Sequence, residues 1–236
     1  MPLGLGPLKR PSEGPSEGHF AVAALFEIGN RQDLRGAAAT RAGFDRALTD
    51  QSYLHFSCHG YYNWDDVMKS GLVLAKGDRL TPADILSRVN LSATRLVTLS
   101  ACETGITDFR TAPDEFVGLP AGLLQAGAPG VIATLWAVND LSNMLLVERF
   151  YQHHLRDKLS PADALRKAQL WLRDATAKEL SERFDREMAL APDRPRQPRM
   201  AFAAAEKHFT DYALQEGDKR PFADPYYWAG FAAYGV

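Results

Sequence analysis

The chain has 236 residues, 46% of them hydrophobic, which fits one large globular domain with a substantial core. Its formal net charge of −2 provides no basic surface for a phosphate backbone, so the composition argues against nucleic acid as a partner. The sequence contains neither a charged leader with an apolar stretch nor a run of about 18 uncharged apolar residues, so we expect a cytoplasmic protein that does not enter a membrane. The two cysteines, Cys58 and Cys102, are then expected to stay reduced, and they are too few for a thiolate-rich zinc site. We predict neither a metal ion nor a cofactor.

The first part of the sequence predicts a leader, two helical stretches and a strand. Residues 1–18 are rich in glycine and proline, which disfavour both helix and strand, so we predict a flexible leader there. Helical composition follows at 20–27 and again at 37–48. The apolar run at 53–59 then predicts a strand that ends on His59.

A β–α–β unit is predicted next. A short apolar run at 72–75 indicates a small strand. Thr81, Pro82 and Asp84 supply a cap hydroxyl, a proline for the first helical position and a carboxylate, so a helix is expected to begin there. This helix returns the chain to a strand at 96–101, and the arrangement predicts a parallel pair with a right-handed crossover.

The middle of the chain alternates in the same way. A helix is predicted at 115–126, and the almost continuously apolar run at 130–137 predicts a strand that is covered on both faces. Asp140 is expected to cap a helix that extends to about residue 155. Ser160 begins a second capping pattern with proline and aspartate, and another helix follows it.

The last part of the chain contains a segment of different character. Residues 176–223 have alternating charges and a proline-rich break, and we interpret them as a helical insertion within one domain of residues 19–236. Three roles for this insertion stay open: it covers a substrate groove, it docks a regulatory domain, or it is a solvated hairpin with no role. The aromatic run at 227–234 predicts a closing strand.

The candidate active site is a cysteine–histidine pair. If the runs at 53–59 and 96–101 are neighbouring parallel strands, His59 and Cys102 follow them at one carboxyl edge, where open α/β sheets bind ligands. An imidazole beside a thiol favours the thiolate, and the imidazolium can then protonate a leaving amine. Gly60 permits close approach of a substrate backbone, and the amides of Gly60 and Cys102 are candidate oxyanion donors.

Each of these residues also has a purely structural interpretation. Cysteine is among the most buried residue types, and a single histidine at a strand end carries no special meaning. The joint placement of His59 and Cys102 beside glycine and small residues favours catalysis. Cys58 is on the opposite side of the strand from His59, so we predict a core role for it, and we predict that His55 is a buried, hydrogen-bonded histidine.

Five ordered blocks of the sequence form a specific pattern. They are LHFSCHG (54–60), LVTLSACETG (96–105), GLPAGLLQAGAPGVIATLWAVND (118–140), SPADALRKAQLWL (160–172) and DPYYWAGFAAYG (224–235). The pattern resembles the CHAT domain, a caspase-like domain related to separase. The resemblance implies an α/β, caspase-like three-layer sandwich with a mainly parallel central sheet and helices on both faces. It further implies a cysteine endopeptidase acting on a protein or peptide substrate, with His59 as the catalytic histidine and Cys102 as the nucleophile.

The resemblance also suggests residues for substrate binding. In separase-like relatives an acid after the LWxV block contributes to the pocket for a basic P1 side chain, and Asp140 occupies the matching position. Asp114 and Glu115, in the loop after Cys102, are a second acidic candidate for substrate binding. The alternative function is a catalytically latent interaction or scaffold module that is regulated by a partner, such as a sensor protein.

The sequence departs from the family pattern before Leu34. The family domain normally begins well upstream of that point with at least one further strand, and residues 1–18 do not suit a strand. We therefore expect a domain that is incomplete on its N-terminal side. Three explanations stay open: the chain is a piece of a longer product, a partner chain completes the sheet, or the start codon is misassigned.

Overall fold

The computed structural model describes residues 22–23, 25–26, 30–101, 104, 118–190, 207, 209–210, 214 and 216–235. From 187 to 190 the description covers the backbone alone. Three predicted site residues, Cys102, Asp114 and Glu115, lie outside the described residues, and so does the leader predicted at 1–18.

Seven strands form two sheets in the described part of the chain. In chain order they are β1 (Tyr53–Phe56), β2 (His59–Tyr61), β3 (Gly71–Val73), β4 (Arg79–Leu80), β5 (Leu96–Leu99), β6 (Gly130–Thr134) and β7 (Phe231–Gly235). The main sheet has the order β1–β5–β6–β7, in which β1, β5 and β6 are parallel and β7 is antiparallel to β6. The other three strands form an antiparallel sheet of order β2–β3–β4, which we call the small sheet. The architecture is therefore mixed α/β with a mostly parallel central sheet.

Seven α-helices accompany these strands within the described ranges. They are α1 (Arg41–Ala47), α2 (Pro82–Arg88), α3 (Leu119–Gln125), α4 (Asp140–Tyr151), α5 (Pro161–Asp174), α6 (Ala177–Leu190) and α7 (Pro225–Trp228). A π-helical segment, Gln152–Arg156, continues α4. None of the described helices combines the length and the apolar composition that a membrane span requires.

Side-chain caps explain where several helices begin. At α2 the Thr81 hydroxyl accepts a hydrogen bond from the Asp84 backbone N–H, and the Asp84 carboxylate accepts one from the Thr81 N–H, which confirms the predicted capping box. Ser160 accepts from the Asp163 N–H at the start of α5, as predicted. The helix predicted from residue 37 begins only at α1, because the Thr40 hydroxyl caps it there.

The strands predicted at 72–75, 96–101 and 130–137 end earlier, at Val73, Leu99 and Thr134, and two further predicted strands are wrong in extent. The strand predicted at 53–59 is divided into β1 and β2, because the chain leaves the main sheet after Phe56 and then pairs with β3 instead. The closing strand predicted at 227–234 is preceded by α7, because the Asp224 side chain caps that helix and Pro225 fits its first position. The actual closing strand is β7.

Two hydrophobic clusters lie on the two faces of the main sheet. Side chains of β5 alternate between them, with Leu96 in the first cluster and Leu99 in the second. The first cluster is built with α4, α5 and α6, and the second with α1, α2, α3 and the small sheet. Leu180 and Phe184, from the segment 176–223, are fully buried in the first cluster. The described part of that segment therefore contributes to the core.

Candidate active site

The carboxyl edge of the main sheet brings the two reactive segments together. The strands β1 and β5 are parallel and adjacent, and the last pair in their register joins Phe56 to Leu99. The Ser100 backbone N–H donates to the Phe56 carbonyl at 2.8 Å, which extends the ladder to the end of both strands. His59 and Cys102 each follow three residues after that last pair in the sequence. The chain therefore approaches both residues from neighbouring positions at one edge.

The small sheet carries His59, rather than the strand next to β5 as the sequence suggested. His59 is the first residue of β2 and lies opposite Val73, while Gly60 lies opposite Leu72. Leu72 and Leu80 are fully buried in the second hydrophobic cluster, so one face of the small sheet packs on the core. His59 is exposed. Its imidazole is therefore accessible to a ligand, and the oxyanion role of the Gly60 amide stays a prediction.

A buried threonine pair anchors the described residues on either side of Cys102. The Thr104 hydroxyl donates to the Ala101 carbonyl at 3.1 Å, and the Thr134 hydroxyl, at the end of β6, donates to the same carbonyl. The two hydroxyl oxygens are 3.2 Å apart, and the Thr134 N–H donates to the Thr104 oxygen at 3.3 Å. Both side chains are buried. The residues on either side of Cys102 and Glu103 are thus tied to the neighbouring strand.

A second polar contact joins the end of β5 to α4. The Ser100 hydroxyl donates to the Asn143 side-chain oxygen at 2.8 Å, and both residues are buried. Asn143 lies on α4, so this bond joins the strand that leads to Cys102 to the helix behind it. The position of this strand end is therefore determined by polar contacts to both β6 and α4.

His55 and Cys58 have structural surroundings, but both are half-buried, whereas the sequence predicted a buried His55 and a core role for Cys58. His55 is half-buried, and its Nδ1 lies 3.5 Å from the hydroxyl of Tyr151, which donates to the Thr98 hydroxyl at 2.9 Å. Burial raises the pKa of the fully buried Tyr151, so this phenol stays neutral. Cys58 is half-buried and packs against the second hydrophobic cluster.

The cap of α4 is Asn139, not Asp140. Asn139 has extended backbone angles, so its side-chain oxygen reaches the backbone N–H groups of Leu141 and Ser142, at 3.1 Å each. Asp140 is already the first helical residue, and it is exposed. A carboxylate in the first turn is favoured by the helix dipole, and the side chain remains available for a ligand.

The segment after β6 is held by the last part of the chain. The Leu135 N–H donates to the Gly230 carbonyl at 2.8 Å, and the Trp136 indole donates to the Tyr226 carbonyl at 3.1 Å. A Cβ atom at Gly230 would lie 2.9 Å from a Val138 methyl group, so only glycine fits there without a shift. The blocks at 118–140 and 224–235 therefore meet at the same edge as His59.

The sequence was compared with models of known protein families. The model of the CHAT domain family matches residues 8–236. The chain belongs to the CHAT domain family. This family is one of the caspase-like protease families. No curated protein matches the chain.

The CHAT domain exposes apolar side chains around the candidate site. Six large hydrophobic residues are exposed in the described part of the chain, and four of them belong to segments at the carboxyl edge of the main sheet. Tyr61 and Trp64 lie in and after β2, Leu135 follows β6, and Tyr226 lies in α7. These side chains are accessible to a ligand or a partner at that edge. Within the described residues, no group of three or more metal-binding side chains is assembled.

Sequence reasoning missed the residues that support this site. Thr104 and Thr134 are separated by 30 residues, so no local pattern connects them. The bond from Trp136 to the Tyr226 carbonyl spans 90 residues. The only available signal was a threonine inside the matched block after Cys102, and its partner on β6 becomes visible only with the sheet order.

Proposed function

We propose that this CHAT domain is a cysteine endopeptidase of the caspase and separase type, with Cys102 as its nucleophile and His59 as its acid–base group. One observation carries the proposal: the register of β1 and β5 brings the chain to His59 and Cys102 from adjacent positions at one sheet edge. The exposure of His59 and of the surrounding apolar side chains supports it. Helices on both faces of a mostly parallel sheet agree with a caspase-like three-layer sandwich.

The reaction would proceed through an acyl-enzyme. The Cys102 thiolate attacks the carbonyl carbon of the substrate, and the negative charge moves to the carbonyl oxygen, where the N–H groups of Gly60 and Cys102 would bind it. The carbon–nitrogen bond then breaks, and the His59 imidazolium donates its proton to the leaving amine. Neutral His59 next accepts a proton from water as that water attacks the thioester. Loss of the thiolate releases the carboxylic acid product and restores the starting pair.

Specificity would depend on acidic residues near this pair. Asp140 is exposed in the first turn of α4, beyond the end of β6, and a carboxylate in that place can pair with an arginine or lysine at P1. Asp114 and Glu115 are further candidates for the same role. The substrate is a protein or peptide in either case. A regulatory or sensor protein would control access to the site.

The test is hydrolysis of fluorogenic peptides with arginine at P1. Wild-type protein should release the fluorophore, and both Cys102→Ala and His59→Ala should reduce kcat by at least about a hundredfold. Cys58→Ser is the matched control, because it removes the other thiol of the chain at nearly the same side-chain volume and should leave the rate unchanged. Equal turnover by wild type and Cys102→Ala would refute the proposal.

The same proteins distinguish a latent scaffold from an enzyme. A thiol-reactive peptide probe should label Cys102 in the native wild-type protein and fail to label it after His59→Ala. If no condition allows labelling of Cys102 and a partner protein still binds tightly, the chain is an interaction module instead.

A further inference from the structure

One face of the small sheet is exposed and carries His59. His59 pairs with Val73, and Val73 pairs in turn with Arg79, so these three residues form one row across the three strands. Tyr61 is two residues after His59 and therefore points to the same face. Three of the four are exposed, and Val73 is half-buried. The opposite face carries the buried Leu72 and Leu80.

Arg79 lies over the ring of Tyr61 on this face. Its guanidinium carbon is 4.4 Å from the centroid of that ring, a distance typical of a cation–π contact. Such a contact orients the guanidinium and leaves its in-plane N–H groups for a carboxylate. An aromatic residue under an arginine thus prepares it for binding an acid.

Asp78, the acidic residue next to Arg79 in the sequence, is already engaged by another group. Its carboxylate accepts the Arg41 backbone N–H at 2.9 Å. In the described ranges Arg79 forms no ion pair with a carboxylate. Its positive charge is therefore available at the surface.

The distance from Arg79 to His59 fits a short peptide segment. Neighbouring strands are about 4.8 Å apart, so two strand steps separate the two backbones by roughly 10 Å. An extended peptide advances about 3.3 Å per residue, so that separation corresponds to roughly two or three residues. A substrate bound at His59 would therefore bring a side chain two or three residues from the scissile bond close to Arg79.

We propose that Arg79, positioned by Tyr61, binds an acidic side chain of the substrate two or three residues from the scissile bond. The inference rests on the proposed function and specifies its substrate class: a polypeptide with a carboxylate on this side of the site. Asp140 follows β6, on the other side of β5 in the strand order. The site then has a positive and a negative residue on opposite sides, and this arrangement would select the direction in which a charged peptide binds.

The test measures binding rather than cleavage, so that it does not depend on turnover. Fluorescent peptides with arginine at P1 and a single aspartate at each position from P4 to P3′ are titrated into the Cys102→Ala protein, and the matching asparagine peptides serve as the reference. At one position, two or three residues from the scissile bond, the aspartate peptide should bind about fivefold more tightly, the upper range for an exposed ion pair. Arg79→Gln should remove this preference, Arg79→Lys should keep part of it, and Arg79→Glu should favour a lysine peptide.

Arg88→Gln is the control for this change of charge. Arg88 is an exposed arginine in the last turn of α2, so Arg88→Gln makes the same charge change elsewhere and should keep the preference. Equal binding of all aspartate and asparagine pairs, or a preference that survives Arg79→Gln, would overturn the inference. A preference that depends on Arg79 in a protein without Cys102-dependent hydrolysis would support the inference and refute the proposed function.

Discussion

Replacing Thr134 by valine tests whether the threonine pair holds Ala101 and Thr104, the described residues on either side of Cys102. Valine has nearly the same shape, so the change removes a hydroxyl without opening a cavity. The Ala101 carbonyl keeps the Thr104 hydroxyl as a donor, but the Thr104 N–H loses its acceptor, which is 3.5 Å away in the native protein. One buried polar group left without a partner costs about 1–3 kcal/mol. For a domain of this size the melting temperature should fall by about 2–12 °C.

The matched control is Thr98→Val on β5. Thr98 is equally buried, and its hydroxyl accepts from Tyr151 on α4 rather than from Thr104 or Thr134. Both variants should lose similar stability in thermal and urea unfolding. Only Thr134→Val should also change the rate at which iodoacetamide alkylates Cys102, as measured by mass spectrometry of the separate cysteine peptides. A native melting temperature for Thr134→Val, or the same alkylation rate in both variants, would show that the pair does not anchor the residues on either side of Cys102.

Three further predictions concern stability. Asn139→Ala should lower the free energy of unfolding in urea by about 1 kcal/mol because the α4 cap is lost. Asp140→Asn should change it by less than about 0.5 kcal/mol, and a larger loss for Asp140→Asn than for Asn139→Ala would show that Asp140 is the cap. Arg183→Met should lower the free energy of unfolding by about 3–5 kcal/mol, because the buried Glu148 carboxylate loses the guanidinium that lies 2.6 Å away. Adding Glu148→Leu to this variant should recover part of the lost stability. Burial would raise the pKa of the Asp84 carboxyl, but hydrogen bonds from Thr81 and the nearby Arg41 outweigh burial and lower this pKa overall. The ionised carboxylate therefore stabilises the fold above about pH 4, and this stabilisation is lost as pH falls through the folded-state pKa. Asp84→Asn should therefore unfold more easily at pH 7 and show a weaker acid dependence of the urea midpoint; an unchanged acid slope would contradict this account.

Features set by a few neighbouring residues could be predicted from the sequence. The caps at Thr81 and Ser160 depend on a hydroxyl, a proline and an aspartate within four positions, and the structure has both. The parallel pairing of β1 and β5 follows from one helix between two apolar runs. Asn139 and Asp140 are adjacent and both can cap a helix, so the pattern could not decide which of them is the first helical residue.

Features that depend on distant residues could not be predicted. The run at 53–59 reads as one strand, because nothing in its composition signals that the chain leaves the main sheet after Phe56. The break occurs because β2 pairs with β3, and this pairing depends on residues after the loop. The contact between Thr104 and Thr134 likewise requires knowledge that β6 lies beside β5.

The position of the small sheet against the main sheet depends on core side chains. His59 belongs to the small sheet, and Cys102 follows β5 of the main sheet in the sequence, so the packing between the two sheets bears directly on the proposed pair. The second hydrophobic cluster supplies this packing, because it contains Leu72 and Leu80 from the small sheet together with Leu99 from β5. Cores are close-packed, so a change of one methylene group in this cluster shifts its neighbours. The second cluster would therefore help to position the proposed catalytic pair, because it sets where β2 lies relative to the end of β5.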